Sequence, residues 1–383
     1  MRIYWHSPSP WSYGSYSVLT RRLLPYLVQD HEVEIGAFAA IAGFPIPWGV
    51  TDEHTVVVRP MGMSQRRGAA DLMKPLYDVL KPDVCISASD SFIYEAGDTK
   101  DFYWVPWCPV DYEPIPKLIA DSLVSADHIL VYSNWGVDRL RESGFKAHYV
   151  PGAADADFWH PSLNSPKEER QHSAALKDLD FLVTMVSANV DRMDDRKGFR
   201  EALLGFKLFN EQHPNSALYL HCGWTGPVHL IELVRRLGLE GKVIQPDQYS
   251  FALNLLDDNY LRRMYWCSDV LLNTSKSEGF GLPVIEAQMC GVPVAMTDFA
   301  NVDEVVKTGW KIAGDRCWSD GPDAFRLRVR PDEVAESLEK AYCQNGAIGS
   351  DKIRERVLEF DQPAVYENHW IPALEVIKNG RPC

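Results

Sequence analysis

Two glutamates and two glycines form the most chemically suggestive pattern in this sequence. Glu278-Gly-Phe-Gly281 follows a short apolar run, and Pro283 and Glu286 stand in the segment that comes next. Glycine lets backbone N–H groups approach a ligand closely, and proline suits the first position of a helix. A glycine loop that leads into a helix N-terminus attracts negative charge through free N–H groups and the helix dipole. The pattern therefore predicts a site for a phosphorylated ligand.

The two carboxylates beside this loop indicate a second kind of contact. An anion bound in the loop would repel Glu278 and Glu286, so hydroxyl groups, as in ribose or a hexose, are better partners for them. The same residues also fit a packing element in which Glu278 is solvated and Glu286 caps the helix. Spacing alone leaves both interpretations open.

The longer segment EGFGLPVIEAQMCGVPV, residues 278–294, resembles the E-x7-E motif of retaining nucleotide-sugar glycosyltransferases of the GT-B fold, in family 4. The resemblance implies that Glu278 is catalytic and meets donor-sugar hydroxyls, and that Glu286 binds the ribose. It also implies that four backbone N–H groups hold the donor sugar and distal phosphate: those of Gly279, Phe280, Gly281 and Leu282. A glycosidase pair is not expected, because glycosidase carboxylates face each other across the scissile bond.

A second group of charged residues precedes this motif. The segment SANVDRMDDRKGF, residues 187–199, resembles the phosphate loop of the same family, with Arg192 and Lys197 as its cations and Asp191 in place of the usual glycine. A diphosphate leaving group gains negative charge as the glycosidic bond breaks, and fixed cations stabilise that charge most in the transition state. A solvated charged loop is the alternative interpretation.

Four further residues are candidate donor or acceptor contacts. Gly14 and Ser15 lie between the first strand and the first helix, where they are expected either to meet the donor diphosphate or to form an ordinary turn. Asp111 lies in a loop that resembles the family loop approaching the donor sugar, although many members have histidine there. It is predicted to bind a sugar hydroxyl, to orient the acceptor hydroxyl as a base, or to form a turn. Tyr249 is the predicted stacking partner of the base.

Aromatic residues are frequent in the N-terminal half, where the acceptor is expected. Their flat faces suit sugar rings or stacked bases, although about half of them are expected to pack in the core. They are Trp5, Trp11, Tyr13, Trp48, Tyr103, Trp104 and Trp107. His6 and His221 lie at the ends of predicted strands and are interpreted as core histidines.

Composition limits the class of protein. A net charge of −14 disfavours nucleic acid as the partner, unless a local basic groove exists. The eight cysteines form no CxxC pair, which favours reduced thiols and argues against zinc. No secretory h-region and no apolar stretch near ~18 residues is evident, so a cytoplasmic protein without stable membrane insertion is expected. No cofactor and no metal site is predicted beyond the nucleotide sugar as co-substrate.

Strand and helix patterns alternate along the 383 residues, which predicts an α/β fold. By resemblance this is the GT-B architecture: two doubly wound Rossmann-like domains facing across a cleft. The predicted domains are residues 1–160 for the acceptor, residues 161–360 for the nucleotide sugar, and a C-terminal helix, 361–383, that crosses back to the first domain. Residues 151–177 are predicted to be a polar boundary segment, and residues 43–49 a rigid loop.

The predicted function is retaining, metal-independent transfer of a hexose from a nucleotide-diphosphate sugar to a hydroxyl acceptor. The acceptor is a glycan, a lipid-linked sugar or a small metabolite. The alternatives are glycosylation of a hydroxylated base in DNA, a GT-B-fold sugar-nucleotide epimerase or hydrolase, and a non-catalytic sugar-nucleotide binding module.

Overall fold

The computed structural model describes residues 1–12, 14–38, 43–61, 70–191 and 195–380. The chain divides into two compact units. The first consists of residues 1–155 and the C-terminal segment from Phe360, and the second of Ala156–Glu359. The predicted domain boundaries stand at residues 160 and 360.

The first unit is built around an eight-stranded sheet. Its strands are β1 (Arg2–Pro8), β2 (Glu32–Phe38), β3 (Ile46–Gly49), β4 (Thr55–Pro60), β5 (Val84–Ala88), β6 (Trp104–Cys108), β7 (Ile129–Val131) and β8 (Ala147–Tyr149). Their order is β3-β4-β2-β1-β5-β6-β7-β8, and every neighbouring pair is parallel except β3–β4. The helices between them are α1 (Ser15–Asp30), α2 (Met73–Leu80), α3 (Ala96–Thr99), α4 (Lys117–Leu123) and α5 (Asn134–Glu142), with short 3-10 turns at Ala70–Leu72 and Ser91–Ile93.

The second unit contains a six-stranded, fully parallel sheet. The chain forms β9 (Phe181–Val186), β10 (Ser216–His221), β11 (Val243–Ile244), β12 (Val270–Asn273), β13 (Val294–Thr297) and β14 (Gly309–Ile312), which lie in the order β11-β10-β9-β12-β13-β14. The four central strands β10, β9, β12 and β13 are mostly apolar and buried on both faces, as is usual in parallel sheets. The helices of this unit are α6 (Pro166–Arg170), α7 (Phe199–Gln212), α8 (Leu230–Leu237), α9 (Gln248–Ala252), α10 (Asp258–Cys267), α11 (Leu282–Met289), α12 (Val302–Val305), α13 (Pro331–Cys343) and α14 (Ser350–Glu355).

Three local predictions differ from the structure. The predicted loop at residues 43–49 contains β3, which pairs with β4 through its backbone although it includes Pro47. An antiparallel hairpin, β15 (Gly314–Ser319) and β16 (Ala324–Val329), was not predicted, because its alternating charges obscure the strand pattern. The polar segment 151–177 includes helix α6, which begins with a capping box between Ser165 and Glu168.

Helix α6 is held in the second unit by a buried ion pair. Arg170, 1% exposed, places its guanidinium 2.6 Å from the Asp269 carboxylate and donates to the Cys267 carbonyl oxygen at 2.8 Å. Asp269 also accepts the Leu182 N–H at 2.7 Å. Removing one partner of such a pair leaves an uncompensated charge, so this contact makes residues 166–170 part of the folded unit.

The C-terminal segment packs within the first unit. After a 3-10 turn at Leu358–Phe360, the segment forms α15 (Gln362–Val365), a π-helical turn at Tyr366–Trp370 and α16 (Ile371–Asn379). Trp370 is 1% exposed, with its ring 4.9 Å from that of Trp107 and 6.0 Å from that of Trp5. The Tyr103 hydroxyl donates to the Ile377 carbonyl oxygen at 2.8 Å. Aromatic packing therefore anchors the end of the chain.

Among the described residues, no helix is long and apolar enough to cross a membrane.

Candidate functional site

The strand order of the second unit marks one position where a ligand can bind. From β9 the chain extends the sheet through β10 to β11, and it then returns to place β12 on the other side of β9. The loops after β9 and β12 therefore leave the sheet in opposite directions, and parallel sheets bind ligands at such a switch point. The loop after β9 carries Lys197, and the loop after β12 carries Glu278. The fold thus brings together the two motifs found in the sequence.

The glycine loop and the helix that follows it form as the residue types predict. Gly281 is the N-cap of α11 with φ 88°, a left-handed conformation that glycine adopts readily, and Pro283 stands in the first turn. Gly291 follows the helix with φ 82°, as expected for a C′ residue.

The two loops are joined by hydrogen bonds to backbone carbonyl oxygens of the loop after β9. The Thr274 hydroxyl lies 3.0 Å from the carbonyl oxygens of both Lys197 and Gly198, and the Lys276 N–H donates to the Arg196 carbonyl oxygen at 2.8 Å. Gly198 has φ 68°, and a Cβ added there would lie 2.3 Å from the Thr274 carbonyl oxygen. Glycine is therefore needed at residue 198 both for its dihedral angle and for the close approach of the loops.

An ion pair lies at this junction. The Lys197 ammonium is 2.6 Å from the Glu278 carboxylate, and their side chains are only 14% and 15% exposed. Burial opposes ionisation of Glu278, but the charges of Lys197 and Arg196 outweigh it and hold the pKa of Glu278 below its ordinary value. At neutral pH the site therefore contains a carboxylate and an ammonium in direct contact.

Arg196 is a cation that the sequence motifs did not single out. Its guanidinium donates to the Ser277 carbonyl oxygen at 3.1 Å, which links it to the loop that ends in Glu278. The signal in the sequence was its position next to Lys197, but the resemblance assigned the phosphate contacts to Arg192 and Lys197. Arg192 itself lies outside the described residues.

Backbone donors remain available beside the ion pair. In the part of the chain that the structure describes, the N–H groups of Gly279 and Gly281 make no hydrogen bond. The N–H group of Leu282, the first residue of α11, likewise has no acceptor within the helix. Gly279, Phe280, Gly281 and Leu282 are all buried. This arrangement of donors and positive charge is suited to a phosphate or a sugar hydroxyl.

The other predicted donor contacts of this unit differ in exposure. Glu286 is 5% exposed, and its carboxylate accepts the Tyr265 hydroxyl at 3.4 Å. Tyr249 lies on α9 with 72% of its surface exposed. His221, at the end of β10, contacts the Tyr219 hydroxyl at 2.9 Å through Nδ1, and burial lowers its pKa to about 4. His221 is therefore a neutral packed histidine, as interpreted from the sequence.

The first unit has its own switch point, between β1 and β5. Gly14 is the N-cap of α1 with φ −72°, and both Gly14 and Ser15 are exposed. The Tyr16 hydroxyl donates to the Asp90 carboxylate, which follows β5, at 2.7 Å. Asp90 was not among the predicted site residues, although a carboxylate just after a buried strand was a usable signal. Asp111, after β6, is 5% exposed.

Most of the N-terminal aromatics are core residues. Trp5, Trp104, Trp107 and Tyr103 are no more than 6% exposed, and His6 is fully buried against the Tyr94 hydroxyl at 3.2 Å. Trp11 is 45% exposed and packs edge-on against Trp48 with 6.5 Å between ring centroids. Tyr13 lies outside the described residues.

Among the described residues, no group of three or more His, Cys, Asp or Glu side chains is placed to hold a metal ion.

Comparison with known proteins agrees with this architecture. Residues 177–317, which include both loops, match the family model described as glycosyl transferases group 1. The sucrose-phosphate synthase of Thermosynechococcus elongatus superposes with a TM-score of 0.74 at 15% identity, with 99% of each chain covered. Anabaena HepE in complex with UDP gives a TM-score of 0.69 at 15% identity, covering 98% of this chain and 100% of that one. These likenesses show the fold, and the predicted GT-B α/β fold is confirmed.

Curated relatives match over shorter stretches. The Escherichia coli serotype-specific mannosyltransferase WbdA is 26% identical over 205 residues, which are 52% of this chain and 22% of the relative. The D-inositol 3-phosphate glycosyltransferase of Rhodococcus erythropolis is 40% identical over 125 residues, 31% of this chain and 26% of the relative. The chain thus spans about a quarter of the length of these relatives.

The close approach of the two loops predicts an unequal effect of alanine at two glycines with the same backbone conformation. Gly198 and Gly238 have φ of 68° and 69°, but no atom lies within 4 Å of a Cβ added at Gly238. Gly238→Ala should lower the free energy of unfolding by about 1–2 kcal/mol, because alanine is strained in the left-handed conformation. Gly198→Ala should lower it by roughly 1–3 kcal/mol more, because the added Cβ also forces the two loops apart. Urea unfolding of both variants measures the difference, and equal losses would show that the loop contact is not tight.

Proposed function

We propose that this protein is a retaining glycosyltransferase that moves a hexose from a nucleotide-diphosphate sugar to a hydroxyl acceptor without a metal ion. The observation that carries the proposal is the Lys197–Glu278 pair beside unused glycine N–H groups at the switch point of the second unit. The match of residues 177–317 to a glycosyltransferase family model supports the same activity.

The donor half of the reaction follows from the charges at this junction. We propose that Lys197, Arg192 and the adjacent Arg196 bind the diphosphate, whose negative charge increases as the glycosidic bond breaks. Cations held in a partly buried site stabilise that developing charge more than they would in water. Metal-free leaving-group stabilisation by these side chains is therefore part of the proposal, and no resident cofactor is assigned.

The sugar and ribose contacts are assigned to the glycine loop and its helix. The N–H groups of residues 279–282 hold the sugar and distal phosphate, Glu278 accepts hydrogen bonds from sugar hydroxyls, and Glu286 binds the ribose. The pairing with Lys197 keeps Glu278 ionised, which suits its carboxylate to accept hydrogen bonds from hydroxyl groups rather than donate them. Gly14 and Ser15 are assigned to the diphosphate and Tyr249 to the base.

Acceptor binding is assigned to the first unit. Asp111 is proposed to bind or orient the acceptor hydroxyl, and attack occurs on the face from which the phosphate leaves, so that configuration is retained. The acceptor class is a sugar or polyol hydroxyl, which agrees with relatives named as mannosyltransferases and D-inositol 3-phosphate glycosyltransferases. The structural neighbours that contain UDP or UDP-glucose support a nucleotide-sugar donor.

Donor binding provides the first test. Thermal unfolding in the presence of UDP-, GDP-, ADP- and dTDP-sugars should show a raised midpoint with the true donor, because a ligand that binds the native state stabilises it. Lys197→Ala should weaken that donor by about 10- to 100-fold, since a charged hydrogen bond is lost. Lys340→Ala, which breaks the surface pair with Glu336 at 2.7 Å, is the control. No shift with any nucleotide sugar would reject the proposed donor class.

Catalysis by Glu278 provides a separate prediction. Glu278→Gln keeps the shape of the side chain but removes its charge, so kcat should fall by about 10²–10³-fold while the protein stays folded. Glu336→Gln, on the surface of α13, is the matched control and should keep wild-type turnover. Steady-state kinetics with the donor from the panel and a sugar acceptor measure both variants. Donor consumption without acceptor would indicate the epimerase or hydrolase instead.

Metal independence is tested by chelation. Because cationic side chains are proposed to stabilise the leaving diphosphate, transfer in excess EDTA should proceed at the rate measured without it. The control is addition of Mg²⁺ or Mn²⁺ to the chelated enzyme, which should not raise kcat. A loss of activity in EDTA that either ion restores would contradict the proposal.

A further inference from the structure

Asn301 connects the end of β13 to the glycine loop that follows β12. The residue is fully buried, and its Nδ2 donates to the carbonyl oxygens of Gly279 at 3.2 Å and Phe280 at 3.0 Å. Its backbone lies just before α12 and accepts the N–H groups of Glu304 and Val305. One side chain thus bonds to both central peptide groups of the loop.

The side chain does not make the contact that its position would predict. Asparagine at a helix N-cap ordinarily uses Oδ1 to accept an N–H group of the first turn. Asn301 is the N-cap of α12 but makes no side-chain capping bond, and its Oδ1 has no hydrogen-bond partner among the residues the structure describes. A buried, half-satisfied amide is unfavourable for stability. The two hydrogen bonds that Asn301 Nδ2 donates to the loop are therefore the main contacts of its side chain.

Peptide geometry gives those two bonds a consequence. In a trans peptide the C=O and the next residue's N–H point in opposite directions within one plane. The Gly279 carbonyl shares a plane with the Phe280 N–H, and the Phe280 carbonyl shares one with the Gly281 N–H. By holding both carbonyl oxygens on its own side, Asn301 directs both N–H groups to the opposite side of the loop.

We propose that Asn301 is a positioning residue for the donor site: it orients the backbone N–H groups that bind the donor sugar and distal phosphate. The inference rests on the proposed function, because it assigns the loop to the donor. Asn301 acts through the loop and does not itself touch the substrate. If the two peptide groups were free to rotate, donor binding would have to order them, and this loss of entropy would lower the affinity for the donor.

Isosteric substitution separates this role from a general loss of stability. Asn301→Asp keeps the shape but replaces the donating amide with an acceptor, which repels the two carbonyl oxygens. Asn210→Asp is the matched control: Asn210 Nδ2 donates to the carbonyl oxygens of His213 at 3.2 Å and Ser216 at 3.0 Å, at the opposite, amino end of the sheet. Both variants lose the same chemistry from the same unit.

Hydrogen exchange of the ligand-free protein is the first readout. Asn301→Asp should speed exchange of the amides in residues 278–283 by about tenfold or more, because the bonds that order the loop are lost. Asn210→Asp should leave this segment at the wild-type rate and speed exchange near residues 213–218. If the amides of residues 278–283 exchange at the wild-type rate in the Asn301→Asp variant, the inference is overturned, whatever ligands the protein binds.

Donor affinity is the second readout. Calorimetry with the nucleotide sugar that shifts the wild-type midpoint, and with its nucleoside diphosphate, should show that Asn301→Asp loses about tenfold in affinity for the first and less for the second. Faster exchange with unchanged affinity would make Asn301 merely structural and overturn the positioning role. If the wild-type protein binds none of the nucleotide sugars, the proposed function fails and this role fails with it.

Discussion

The close approach of Gly198 to Thr274 is the constraint on which the candidate site depends. A Cβ at residue 198 would lie 2.3 Å from the Thr274 carbonyl oxygen, so the loops after β9 and β12 meet only because this residue is glycine. Their contact places the Lys197 ammonium against the Glu278 carboxylate. Without it, two charged side chains would lie on separate, solvated loops and would contribute little.

The sheet of the second unit fixes the positions at which the two loops begin. Because β9 and β12 are adjacent parallel strands at the switch point, their following loops must start side by side. The neighbouring strand β13 then supports the site from outside, since the segment after it brings Asn301 to the glycine-loop carbonyl oxygens. The segments after three strands therefore converge on one stretch of backbone, and the Asn301 contacts direct the N–H groups of that stretch away from Asn301.

Charge and burial define the chemistry that the site favours. Lys197 and Arg196 keep Glu278 ionised although its side chain is only 15% exposed. The partly buried carboxylate can accept hydrogen bonds from hydroxyl groups, and the cations and free N–H groups beside it can bind an anion. Both kinds of partner are therefore available within a small volume. That combination matches a ligand with both hydroxyls and phosphates, which is why a nucleotide sugar is the proposed substrate.

The alternation of strand and helix patterns in the sequence was enough to determine the α/β class. The sequence also determined the glycine loop and its helix, because Gly281, Pro283 and Gly291 have local conformational requirements that neighbouring residues do not change. It could not reveal the β15–β16 hairpin or the folding of residues 166–170, which depend on pairing and on the distant Asp269. The contacts that Arg196 and Asn301 make with the loop after β12 likewise depend on the tertiary structure. An asparagine before VDEV indicates a helix cap, and only the tertiary contact between the segment after β13 and the loop after β12 directs its side chain to the loop carbonyl oxygens instead.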